Sequence, residues 1–116
     1  MSVAIQIEKD FKVIRTELHN EAIIQLLAKR DEKAFEQVFK SHFKSLHAYA
    51  CTILNDEIYA EEIVQQVFFK LWERAENISI TGSVAAYLYR AVHNESLNHI
   101  KHQKVKSSHQ MHVAYS

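Results

Sequence analysis

The sequence predicts an all-α fold, a compact bundle of about four to five helices, and three observations predict it. The 116 residues hold no proline and one glycine, Gly82, whereas an all-β chain needs many turns and turns draw on Gly and Pro. Apolar residues recur at three- and four-residue steps over long stretches, which places them on one face of a helix. Short polar residues able to cap a helix stand where those stretches break.

Taken in order, residues 1–20 carry a weak pattern in Ile5, Ile7, Phe11, Ile14 and Leu18, suited to an amphipathic helix or a partly ordered arm, and form an extension outside the core. Residues 21–30 (EAIIQLLAKR) read as the first core helix, with Ile23, Ile24, Leu26 and Leu27 apolar. Asp31 fits an N-cap, because its carboxylate can accept the free amides of the next turn. The second helix comes next, over residues 32–54, with Phe35, Val38, Phe39, Phe43, Leu46, Tyr49, Ala50, Ile53 and Leu54 at helical spacing. Asn55-Asp56 breaks the pattern and offers the next N-cap. Glu57, Glu61 and Glu62 then sit in the first turns, where the helix dipole favours negative charge. The third helix runs to Ala75 with a core stripe of Ala60, Ile63, Val64, Val67, Phe68, Leu71 and Trp72. Residues 76–83 (ENISITGS) form the one clear loop, and Thr81 or Ser83 can cap the fourth helix. That helix spans 84–104, with Val84, Leu88, Ala91, Val92, Leu97 and Ile100 as candidate buried positions. Residues 105–116 have no period and read as a linker or frayed tail, so the helical domain covers 21–104.

Composition bounds the class of protein. Hydrophobic residues make up 47 % and charged residues 24 %, the profile of a globular chain rather than a disordered one. Cys51, the only cysteine, has no partner for an intramolecular disulfide and reads as a small buried hydrophobe. No basic segment followed by an apolar one opens the chain, and no apolar run reaches bilayer-spanning length, so a cytoplasmic location is expected. The formal net charge is zero, but residues 1–81 carry ten Lys/Arg against thirteen Asp/Glu, and residues 82–116 carry four against one, Glu95. Five of the eight histidines, His93, His99, His102, His109 and His112, also fall in that second part. An acidic body with a basic C-terminal segment suggests two surfaces with different partners.

The periodicity defines two surfaces. On a wheel of roughly 100° per residue, Phe69 falls opposite the core stripe of the third helix, beside Glu62, Gln65, Gln66, Glu73 and Glu76. A large aromatic ringed by acids and amides suits a protein-binding hot spot, and equally a lone exposed aromatic, which is common. The fourth helix interleaves Tyr87, Tyr89, Arg90, His93, Asn94, Asn98, His99, Lys101, His102 and Lys104. Cations neutralise phosphates, amides read base edges and tyrosines stack on unpaired bases, although such a face also occurs simply as a solvated one. The loop before it offers short polar groups and free backbone amides, a pocket suited to an extruded base.

Catalytic signatures are missing. One glycine cannot build a phosphate-cradling loop, and neither HExxH nor CxxC occurs. His99/His102 and His109/His112 are HxxH pairs, but two histidines without a third ligand do not define a zinc site. No nucleophile, base and oxyanion site assemble, so neither enzyme activity nor a cofactor is expected.

The stretch AEEIVQQVFFKLWE (60–73), with AAYLYRAVHNESLNHIK (85–101) after it and LLAKRDEKAFEQVFKSHF (26–43) before it, closely resembles region 2 of the extracytoplasmic-function (ECF) sigma factors, over about residues 21–104. The resemblance implies a helical domain of the sigma region 2 type with two tasks. The third helix would dock on the clamp helices of the largest subunit of core RNA polymerase through Glu62, Gln65, Gln66, Phe69 and Glu73. The loop, with Asn77, Ser79 and Thr81, would capture a flipped base of the non-template strand of the promoter −10 element. Tyr87, Arg90, His93, Asn94, Asn98 and Lys101 would serve the same strand. An anti-sigma factor is a further partner of this family. The sequence departs from the family at Tyr87, often Trp, at Asn98, often Asp, and at Lys101, often Arg, and Glu95 is an acid within the basic helix. Region 4, which reads the −35 element, is absent, so the chain is expected to be a fragment of a longer protein, with a naturally short chain as the alternative. Two other readings stand beside this one: a helical adaptor that binds protein through the Phe69 face without touching DNA, and a small metal-dependent helical enzyme.

Overall fold

The computed structural model describes residues 4, 6, 7 and 19–115, with side-chain surroundings through residue 108. The expectations for Ile5, Phe11, Ile14 and Leu18 lie outside the described residues, while Ile7 is helical and exposed. Among the described residues, four helices succeed one another in an all-α arrangement: α1, described over 19–28, then α2 Glu32–Leu54, α3 Glu57–Glu73 and α4 Val84–Tyr115.

Local chemistry sets the breaks. Helix α1 ends with Arg30 in the left-handed region at φ 58°, where Arg30 N–H donates to Leu27 O and Asp31 N–H to Leu26 O, each at 3.0 Å. This is a Schellman ending with arginine in the place usually held by glycine. Asp31 then caps α2, its carboxylate accepting from Ala34 N–H at 2.8 Å. At the other end of α2, Asn55 adopts φ 52° and closes the helix through a 2.8 Å bond to Cys51 O. Asp56 comes directly after it and caps α3, accepting from both Ile58 N–H and Tyr59 N–H at 3.0 Å. Two residues thus end one helix and start the next, which folds α2 and α3 back on each other. Ser83, rather than Thr81, caps α4 by accepting from Ala86 N–H at 3.0 Å.

The core lies where α1, α2, α3 and α4 meet. Leu46, Ala50, Ala60, Val64, Leu88 and Val92 are fully buried. Phe35, Phe39 and Phe43 of α2 line up along one side, and Phe68 and Trp72 of α3 pack edge-on against the first two, with centroids 4.9–6.1 Å apart. Edge-to-face packing suits the ring quadrupoles. Two expected core positions are corrected. Leu97 is 47 % exposed, because the inward place on that turn of α4 goes to Ser96, which is fully buried. Cys51 is only half-buried, with its Sγ 3.8 Å from His47 Nε2. Helix α4 also continues beyond Lys104 to Tyr115, and its residues 101–108 are all exposed.

Candidate functional site

The outer face of α3 is built by exclusion. Val64, Val67, Phe68 and Leu71 fill the inward stripe, so Phe69, one position past Phe68, turns outward and is 64 % exposed. Glu62, Gln65, Gln66 and Glu73 are exposed with it. Sequence reasoning missed Ile58, the most exposed large apolar residue described, at 75 %. It stands eleven residues before Phe69, about three turns and ~16 Å along the same side, a spacing the wheel could have revealed. The single basic residue of α3, Lys70, turns instead toward α4, where its Nζ meets Glu95 Oε1 at 2.6 Å. The outer face is therefore acidic along its length, with Phe69 and Ile58 as its apolar points.

The loop between α3 and α4 has no regular secondary structure over residues 78–81, and burial alternates along it. Ile78 and Ile80 pack on the core, while Asn77, Ser79 and Thr81 are exposed. Gly82 takes φ 84° with nothing within 4 Å of the place a Cβ would occupy, so its conformation rather than crowding calls for glycine. Asn20 of α1 holds this end of the loop: its Nδ2 donates to Gly82 O at 2.6 Å and its Oδ1 accepts from Val84 N–H at 3.0 Å. Beside the loop lies a groove of about 850 Å³ whose walls include Asn20, Ile23, His42, Ile80 and Ser83. Burial there holds the His42 imidazole below its usual pKa.

On α4, Arg90, His93, Asn94, Asn98 and Lys101 are exposed, while Tyr87 is half-buried and packs partly on the core. Arg90 and Lys101 stand about 16 Å apart along the helix. His93 is tethered from α2, its Nδ1 lying 3.1 Å from Tyr49 Oη, and Tyr49 also packs edge-on against Tyr89. Glu95, the acid within the basic helix, is engaged by Lys70 on the α3 side and does not lie on the Arg90 face. The structure thus groups the expected α4 residues on one side of the helix next to the outward loop residues. It sets them apart from the α3 face. His99 packs at 4.5 Å on Tyr59, and no group of three or more metal-ligating side chains occurs among the described residues. No described helix is long and apolar enough to cross a membrane.

Residues 38–105 match the family Sigma-70 region 2, and the chain belongs to that family. Among similar proteins, the ECF RNA polymerase sigma factor SigK of Mycobacterium tuberculosis (strain H37Rv) is 28 % identical over 83 residues, which cover 70 % of this chain and 44 % of that protein. The same figures hold for the SigK of Mycobacterium bovis (strain BCG / Pasteur). The SigK of Mycolicibacterium vanbaalenii is 22 % identical over 89 residues, covering 76 % of this chain and 45 % of that protein. The chain spans less than half the length of these relatives. No solved structure matches it.

Proposed function

We propose that the chain acts as a sigma-factor module that binds core RNA polymerase through the outer face of α3 and holds the non-template strand of the promoter −10 element through the loop and α4. The observation that carries this reading is the separation of two exposed faces of different character on neighbouring helices. One is acidic with apolar points at Phe69 and Ile58. The other is basic with amides at Asn94 and Asn98 and comes directly after an outward-facing polar loop. An acidic face with apolar anchors suits a basic helical partner such as the clamp helices of the largest subunit. Docking there delivers α4 to the strand. Arg90 and Lys101 neutralise phosphates, Asn94 and Asn98 meet base edges, and Tyr87 offers the exposed part of its ring for stacking. Asn77, Ser79 and Thr81 meet an extruded base on the exposed side of the loop. The work is done by binding: trapped unpaired bases stabilise strand separation, with no bond made or broken by the chain. A cytoplasmic location accords with these partners, and an anti-sigma factor would act by covering the same faces.

Retention of core RNA polymerase by the purified chain tests the reading, with Phe69→Ala and Gln65→Ala for comparison. Retention by the parent and its loss in variants whose circular dichroism is unchanged is the expected result. No retention by the folded parent would sink the docking assignment. The adaptor reading is separated by charge reversal at Arg90 and Lys101, which under that reading leaves every binding function intact.

A further inference from the structure

Among the described residues, two polar side chains of the α1 segment reach the backbone at the two ends of the loop. At the far end, Asn20 bonds Gly82 O and Val84 N–H. At the near end, Arg30 Nη2 donates to Glu73 O at 2.6 Å, and its Nε lies 3.8 Å from Glu76 Oε1. Between these two points α1 is fixed to the core by Ile23 and Leu27, both buried. Arg30 holds its position in the left-handed region, at φ 58°, a conformation unfavourable for any side chain with a Cβ. A non-glycine residue kept in that conformation points to work done by the side chain, and the guanidinium is committed to the end of α3. Both residues lie before the stretch that matches the family, residues 38–105.

We infer that α1 is a brace and that Asn20 on it and Arg30 just past its C-terminus are positioning residues for the strand-capturing loop. The inference rests on the strand-capturing role proposed for that loop. Ile78 and Ile80 anchor the middle of the loop by packing, but packing leaves its path along the surface free to slide. Directional bonds to the backbone at Glu73 and Gly82 fix where the loop begins and ends. They thereby fix which way Asn77, Ser79 and Thr81 face.

Each end admits a variant that removes the brace and leaves the apolar core intact. Asn20→Asp keeps an acceptor for Val84 N–H, favoured by the helix dipole, but cannot donate to Gly82 O. Arg30→Gly removes the guanidinium and adopts a positive φ freely. Both variants are expected to fold as the parent does, with Tm lowered by no more than roughly 6–11 °C. Amide hydrogen exchange over residues 78–84 should become roughly tenfold faster in each, as the loss of a strong hydrogen bond implies. In complex with core polymerase, retention of a single-stranded DNA library randomised over a central segment should fall by about the same factor for Asn20→Asp, with polymerase retention unchanged. Parental exchange rates in both variants would overturn the brace. Faster exchange with parental DNA retention would overturn its positioning role. Should the parental complex retain no library DNA while exchange still rises in the variants, the strand-capture reading fails and this inference with it, and the exchange data place the fault in that reading.

Discussion

At Ser96 a hydroxyl is fully buried on α4, and its Oγ has no hydrogen-bond partner among the described residues. Burying a hydroxyl unpaired costs about 1–3 kcal/mol, and alanine is the better helix former. Ser96→Ala should therefore raise the stability by about 1 kcal/mol, an increase of roughly 4–8 °C in Tm for a domain of this size; a lowered Tm in thermal denaturation would show that the hydroxyl is satisfied. His42 makes a second residue-level case. Its pKa is lowered because burial beside the groove disfavours the charged ring. The unfolded chain then takes up a proton before the folded one does as pH falls. The contribution is fully present above the ordinary imidazole value of about 6.5 and is lost as pH drops through it toward the lower folded value. Between pH 8 and 5 the parent should lose more Tm than His42→Gln, and equal losses would remove His42 from the account. The caps were legible in the sequence at this scale, because Asp31, Asp56 and Ser83 act on amides two or three residues away. Arg30, Tyr49 and Asn20 were not legible, since their partners lie 43, 44 and 62–64 residues away and only the folded chain brings them together.

Among the elements, α3 shows how one helix serves two purposes. Its inward stripe of Val64, Val67, Phe68 and Leu71 was readable from periodicity, and the same periodicity sends Phe69 outward. Ile58 was readable in principle by extending that face three turns back, but the N-terminal turn draws attention to its capping acids instead. Because Phe69 and Ile58 are exposed, truncating either should leave Tm close to the parental value while weakening polymerase retention. The expected losses are about 2 kcal/mol for Phe69→Ala, near thirtyfold in Kd, and about half as much for Ile58→Ala. A titration in which Ile58→Ala binds as the parent does would confine the docking face to its C-terminal half. The cap beneath this face is a separate matter: Asp56→Ala should lower stability by about 1 kcal/mol, since one carboxylate serves two amides. The end of α4 was the least legible boundary. Residues 105–108 are exposed and carry no apolar stripe, so nothing in periodicity marks them as helical. Once residues 84–100 are fixed by packing, each further residue orders itself for one added hydrogen bond, and a helix propagates past the point where its core contacts end.

For the molecule as a whole, the controlling feature is the distribution of charge under a net charge of zero. The acids gather toward α3 and the cations toward α4, and the two residues that break the rule, Lys70 and Glu95, neutralise each other at 2.6 Å. That pairing is partly exposed and adds little stability, but it leaves no opposing charge on either outer face of these two helices. The polarity was visible in the sequence; the pairing was not, because the sequence shows Glu95 only as an acid misplaced among cations. The proposed function turns this into a measurable salt dependence. Binding to single strands weakens with salt with a log–log slope of about −0.7 per phosphate neutralised. If Arg90 and Lys101 each meet one phosphate, replacing both with alanine should reduce the slope measured for the polymerase complex by about 1.4. Glu95→Gln should leave the slope unchanged, since Glu95 is turned toward α3. Fluorescence anisotropy of labelled single strands over a range of salt concentrations reads both. A slope unaltered by the double substitution would take the α4 face out of phosphate contact and favour the adaptor reading. A steeper slope for Glu95→Gln would mean that its carboxylate repels the strand despite its bond to Lys70.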